Sequence, residues 1–306
     1  MEIDGKSVDN VHFRWDGKLE PIARIKQGDW VKITVPDSSV NQILPGMTEE
    51  DMGKIDESKF DGAVGPLFIE GAKAGQTLKI EFESIETGEY GWSAIIDNFG
   101  LLKNMFRRKL ITWKKTSNVW EVEDTFLKGI RIRNRPFLGV VGTAPKEGTY
   151  GMIPPQVFGG NMDTKTICTG SILMLPVNVD GALVSFGDPH GSQGDGEVCG
   201  TAIETEATIK VRFSTVEESI KRPMIISEEY STGRTISASG ISEDLHIAAQ
   251  MAVLDMIKYL MKRGLSGQES YILLSVIGNL AIREIVDEPN FVVTMSLPME
   301  LIDQIA

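Results

Sequence analysis

The stretch from Gly181 to Glu204, G-A-L-V-S-F-G-D-P-H-G-S-Q-G-D-G-E-V-C-G-T-A-I-E, restricts this chain more than any other. Ala182 to Phe186 is an apolar run rich in strand formers, and Val198 to Glu204 is a second. Between them Asp188, His190, Asp195 and Glu197 fall within ten residues, spaced by Gly187, Gly191, Gly194 and Gly196. The pattern predicts a strand, a polar glycine-rich loop and a strand, with acids and an imidazole gathered at the loop. Asp188 and His190 are two apart, so an extended backbone aims both side chains at one face. The glycines permit tight turns and close approach of the backbone to a bound ion or small molecule. A surface hairpin is the plainer alternative, since Asp and Gly are ordinary turn residues. Two details weigh against it. The chain has three histidines, and one sits in the middle of this cluster. An Asp-x-His pair also supplies carboxylate oxygen and imidazole nitrogen, donors that both suit zinc.

A second polar block, G-G-N-M-D-T at 159–164, lies upstream, with S-I-L-M-L-P-V at 171–177 between the two. Gly159 and Gly160 allow positive φ and close backbone approach ahead of Asn161. Asn161 and Asp163 alternate by two, as Asp188 and His190 do, and a side-chain amide can orient a substrate amide by donating and accepting. Read alone, this block is also compatible with a plain loop.

In order and content the two blocks resemble the signature of the acetamidase/formamidase family. P-F-L-G-V-V-G-T-A-P at 136–145 and G-P-L-F-I-E-G-A-K-A-G-Q-T-L at 65–78 resemble further segments of that family. The resemblance implies a metal-containing amidohydrolase that converts short linear amides, formamide and acetamide, to ammonia and the carboxylate. It implies Asp188, His190 and Asp163 as ligands of a divalent metal, zinc, with calcium as a structural ion a further candidate. Asp37, an acid following a strand as in the family, would lie near the metal; on its own it reads as a turn or helix-cap residue. Family members carry a His ahead of the G-P at 65–66; this chain has none, so that ligand is absent or replaced by Asp61. Asn279 stands where relatives have an acid. A carboxylate off the metal would move the proton from water to the departing nitrogen. Glu197 is the first candidate, with Asp195 and Glu204 behind it, while Asn161 or Gln193 would hold the amide. A homodimer is also implied.

Net charge narrows the partners. With 31 basic and 43 acidic residues, the −12 balance disfavours nucleic acid and anionic membranes, which need a basic surface. The R-R-K run at 107–109 is too short to overturn this. The N-terminus lacks the basic-then-apolar pattern of a secretion signal, and no apolar run approaches the ~20 residues of a membrane helix, so a cytoplasmic protein is expected. Cys168 and Cys199 sit in strand-like runs and read as buried free thiols.

Strand patterns dominate the first two-thirds. V-H-F-R-W, P-I-A-R-I and D-W-V-K-I-T-V alternate between turns at 16–18 and 27–29. Leu78, Ile80, Phe82 and, after a break, Ile85 mark a half-buried strand. Thr48 with Asp51 can start a short helix. Late in the chain, Ile241, Leu245, Ala248, Ala249, Ala252 and Met256 predict a helix over about 243–263, stopped at Gly264, and Ser266 starts another running to Gly278. His12 and His246 read as packing or surface residues. The expected fold is β-rich α+β, sandwich- or barrel-like sheets with two late helices packed on them. A β-rich part over 1–140 would precede an α+β part over 141–306 carrying most of the site, unless the two form one unit. Three other functions fit the residues: hydrolysis of a larger or cyclic amide, a Cys199-based amidase with His190 as base, and a metal-stabilised binding protein without turnover.

Overall fold

Alternation along Thr77–Thr87 organises the largest sheet. Leu78, Ile80, Phe82 and Ile85 are buried, while Glu83 and Glu86 are exposed. Ala207–Val216 pairs antiparallel on one side and Ile172–Pro176 on the other. The first pairing slips where Lys210 and Val211 face Ser84 and Phe82. That extra residue lets Phe82 and Ile85, three apart, both reach the core.

The protein is described by a computed structural model covering residues 1–122, 129–229 and 233–305. Its nine-stranded sheet runs in the order Glu2–Asp4, Trp30–Val35, Ala207–Val216, Thr77–Thr87, Ile172–Pro176, Met224–Glu229, Gly233–Ser242, Phe291–Pro298, Asn279–Glu284. A six-stranded sheet runs Gly159–Asn161, Phe137–Gly142, Val184–His190, Ala63–Ile69, Val11–His12, with Ala23–Ile25 parallel to Ala63–Ile69. A four-stranded sheet runs Arg131–Arg133, Val119–Val122, Lys109–Thr116, Tyr90–Ile95. The first two share one core, in which Ile33, Ile80 and Phe213 meet Leu67, Val141 and Phe186. The Phe186 ring lies 6.4 Å from Phe82 and 6.1 Å from Phe213. Each such buried side chain contributes about 1.5–3 kcal/mol. Residue 140 falls inside Phe137–Gly142, and both sheets draw strands from either side of it.

The late helices form where the periodicity places them, at Leu245–Met261 and Gly267–Ile277. Asp244 caps the first by accepting from Ile247 N at 2.9 Å. Ala248, Ala252, Met256 and Leu260, one per turn, are its buried face. That face lies directly on the sheet, since a Cβ at Gly240 would stand 1.8 Å from Ala248 O. Ser266 and Glu269 form a capping box on the second helix. Thr48 and Asp51 do the same for Glu49–Met52, and a further helix, Met299–Ile305, closes the chain. Among the described residues no helix is long and apolar enough to cross a membrane.

Two expectations fail around the glycine-rich stretch. The strand does not stop at Phe186 but runs through Val184–His190, so Asp188 and His190 project from a strand. Val198 to Glu204 forms no strand; only Glu204 makes isolated bridges, to Trp92 and His190. Gly196, Glu197 and Gly200, with φ of 93°, 45° and 85°, interrupt extension there. Cys199 is consequently exposed rather than sealed in the core, and Cys168 is half-buried.

Candidate active site

Segments from all three large sheets converge on one cavity of about 240 Å³. Asp61 precedes Ala63–Ile69, Asp163 follows Gly159–Asn161, and Asp188 and His190 lie on Val184–His190. Glu197 and Glu204 come from the irregular segment after it. Gly196 N donates to Arg283 O at 3.0 Å, tying that segment to the edge strand Asn279–Glu284, beyond which Asp287 lies. Asp61, Asp163, Asp188, Glu197, Glu204, Asp287 and Asn161 line the cavity, and all are buried. Asp61, Asp163, Asp188 and Glu197 have φ of 57°, 40°, 51° and 45°, left-handed geometry that costs about 1–2 kcal/mol per residue. Such strain persists only where the surroundings over-determine it.

His190 is at the centre. Gln193 Nε2 donates to the Asp163 carbonyl at 2.8 Å, so Gln193 Oε1 must be the atom facing His190 Nδ1, also at 2.8 Å. Nδ1 therefore carries a proton and donates. The other ring nitrogen, Nε2, stands 3.0 Å from Asp188 Oδ1 and 3.1 Å from Glu204 Oε2. A lone pair cannot face two carboxylates at that distance; a proton or a cation must sit among them. Burial pushes the imidazole pKa down, but Asp188 and Glu204 outweigh it and hold it well above its ordinary value. Without a cation, Nε2 is thus protonated.

The acids report the same excess of charge. Burial, then neighbouring carboxylates, pushes Asp61, Glu197 and Asp287 well above the usual range. Burial also raises Asp188 and Asp163, although His190 opposes it. Glu284 is pushed up to about 8 by burial. Glu204 alone is lowered, because the His190 contact overcomes its burial. Uncompensated buried charge is prohibitively costly, so the cluster requires protons or cations. In and beside this cluster, among the described residues, Asn161 Oδ1, Asp163 Oδ1 and Glu284 Oε2 are buried oxygens with no hydrogen-bond partner. Two groups, Asp188–His190–Glu204 and Asp163–His190–Glu197, each hold ligand atoms within 4.8 Å of one another. Carboxylates with a neutral imidazole fit a divalent cation.

Several candidates lie elsewhere. Asp37 is buried, but Trp92 Nε1 donates to its Oδ2 at 2.9 Å, while Ser39 Oγ and Asn41 N donate to its Oδ1 at 2.8 Å each. Those bonds occupy both oxygens, and Asp37 does not line the cavity. Asp195 is half-exposed and ion-paired to Lys165 Nζ at 2.8 Å and Arg283 at 3.1 Å. With Gln193 it lines a separate, larger cavity of about 700 Å³. His12 is buried with Nε2 at 2.8 Å from Ser185 Oγ, and His246 is exposed on its helix. Asn279 lies on the edge strand, lining the second cavity.

The sequence reading missed Asp287, Glu284 and the apolar wall of Phe60, Trp92, Ile96, Phe99 and Ile153. It also missed the function of Gly139, which faces Asp188 across the sheet. A Cβ there would stand 2.3 Å from both Asp163 Oδ1 and Asp188 Oδ2. The P-x-x-G spacing at 136–139 was the available signal.

The crystal structure of an acetamidase from Bacillus halodurans superposes with a TM-score of 0.91 over 100% of both chains, at 29% identity. A formamidase from Methylophilus methylotrophus is 25% identical over 377 residues, covering 99% of this chain and 91% of the relative. An acetamidase from Mycolicibacterium smegmatis is 24% identical over 349 residues, 86% of this chain and 84% of the relative. The profile of the acetamidase/formamidase family matches residues 3–150 and 147–304. The chain therefore belongs to the acetamidase/formamidase family.

Proposed function

We propose that the protein hydrolyses short linear carboxamides to ammonia and a carboxylate, with a divalent cation held by Asp188, His190 Nε2 and Glu204, and Asp163 beside them. The observation that carries this reading is the imidazole edge facing two carboxylates at 3.0 and 3.1 Å beside a small cavity. An amide carbonyl is a weak electrophile and water a weak nucleophile at neutral pH. A divalent cation supplies both remedies, polarising the carbonyl and lowering the pKa of water to about 7.

The chain's own residues do the rest. Asn161 Nδ2 is committed to Asp287 Oδ2 at 2.8 Å, leaving its buried Oδ1 as a pure acceptor. A bound carboxamide satisfies that acceptor with one of its N–H groups, and a buried acceptor left bare costs about 1–3 kcal/mol. This fixes the substrate nitrogen and favours a primary amide. Among the described residues no hydrogen bond ties down the Glu197 carboxylate, although it lines the cavity. Glu197 takes the proton from the attacking water and returns it to the amide nitrogen as the C–N bond breaks. Gln193 acts from behind, holding His190 in the Nδ1–H form, and Ser38 Oγ steadies Glu204 Oε2 at 2.8 Å.

The test is ammonia release from formamide, acetamide, propionamide and a γ-lactam, before and after dialysis against a chelator and again after zinc is restored. Short linear amides should be turned over, lost on chelation and recovered with zinc, while a thiol alkylator leaves the rate unchanged. Full activity in metal-free protein refutes the cation. Turnover of the lactam alone replaces the substrate class, and turnover of none refutes the enzyme reading.

A further inference from the structure

We infer that Phe99 is the acyl stop of the cavity, the side chain that sets how long an aliphatic amide can enter; this rests on the amidase reading above. The cavity wall is sharply divided. Apart from Phe60, Trp92, Ile96, Phe99 and Ile153, its side chains are acids, amides and hydroxyls. The carboxamide end belongs with Asn161 and the acids, so the acyl end must lie on the apolar side.

The apolar residues differ in how they are held. Trp92 is fully buried and pinned through Nε1 to Asp37. Phe60 meets Trp92 edge-on at 6.4 Å, and with Ile96 it packs on the cluster around Ile43 and Met52. Those three are part of the core. Phe99 and Ile153 are both half-buried and belong to none of the hydrophobic clusters among the described residues, but Phe99 has a seat of its own. Its ring rests on Gly200 instead, where a Cβ would stand 2.4 Å from the ring edge. The two segments are closely joined nearby. Leu101 N donates to Val198 O at 3.0 Å, and a Cβ at Gly100 would stand 2.7 Å from Cys199 O. The segment that carries Glu197 thus also sets the position of the Phe99 ring. An aromatic ring that faces a substrate cavity, takes no part in the core and is seated on a glycine is suited to limiting substrate length.

Phe99→Ala and Phe99→Leu should each raise the ratio of kcat/KM for butyramide to that for formamide. The rise should be at least about tenfold for alanine, the scale of a methylene or two in an apolar pocket, and smaller for leucine. The melting temperature of Phe99→Ala should stay close to the parent's, which a core ring would not allow. If the parent enzyme turns over short amides but the ratio is unmoved in folded Phe99→Ala or Phe99→Leu, the acyl-stop assignment is wrong while the amidase reading stands. The same holds if all substrates fall in parallel. If the parent turns over no amide at all, the amidase reading fails and this inference with it.

Discussion

Replacing Gly139 by alanine probes the site through an atom that touches no substrate. The added methyl would lie 2.3 Å from Asp163 Oδ1, 2.3 Å from Asp188 Oδ2 and 3.1 Å from Asp188 O. To regain an ordinary 3.4 Å contact, each carboxylate oxygen must retreat by about 1.1 Å, or the strand must bow by as much. Neither oxygen is at the far end of a flexible chain, since both residues are buried with φ of 40° and 51°. Misplacement by 1 Å costs on the order of 100-fold in rate, and overpacking adds about 1–3 kcal/mol of destabilisation. We therefore expect Gly139→Ala to lose roughly 100-fold in kcat/KM for acetamide and to bind zinc more weakly by competition with a chromophoric chelator. Circular dichroism should still report a folded protein. A folded Gly139→Ala enzyme with parental kcat/KM and parental zinc affinity would refute the reasoning, because Asp163 and Asp188 would then not need their present positions.

Other outcomes follow from the same geometry. Glu197→Gln should reduce kcat/KM by about 10²–10⁴ through loss of the proton carrier, whereas Asp195→Asn should change it by less than about fivefold, the worth of an exposed ion pair. Equal losses in steady-state assays would overturn the distinction between the two residues, and a larger loss for Asp195→Asn would reverse it. Stability should fall in acid partly through His12, whose pKa burial lowers to about 4 from an unfolded value of 6.5. The unfolded chain binds the proton first, so this contribution is intact above pH 6.5 and erodes down to pH 4, by about 3 kcal/mol in all. Denaturant titrations of His12→Gln across that window should show a correspondingly shallower loss than the parent; identical slopes would remove His12 as the cause.

What the sequence revealed follows from where its signals lie. Asn161, Asp163, Asp188, His190 and Glu197 stand in two short glycine-rich blocks, where alternation by two puts pairs of polar groups on one face. Asn161, Asp163, Asp188 and Glu197 do line one cavity, and His190 stands behind it against Asp188. Glu204 was under-weighted because Val198 to Glu204 reads as a strand, and only φ values invisible in the sequence break it. Asp195 was over-weighted because its partners, Lys165 and Arg283, are distant in the chain. Asp37 follows a strand as expected, yet its oxygens serve Trp92 and its own turn. Asp287 carries no spacing signal at all; the edge strand Asn279–Glu284 delivers it. The helices at Leu245–Met261 and Gly267–Ile277 were legible because caps and 3.6-residue periodicity are local properties. The convergence of three sheets on one cavity is not local, and the apolar wall it creates had no counterpart in the pattern.

Anomalous scattering at the zinc edge, from crystals of zinc-loaded protein that releases ammonia from acetamide, tests the central claim most directly. A peak about 2.0–2.2 Å from His190 Nε2, within bonding distance of Asp188 and Glu204 oxygens, is the result expected. Active crystals with no peak within reach of His190 would contradict it.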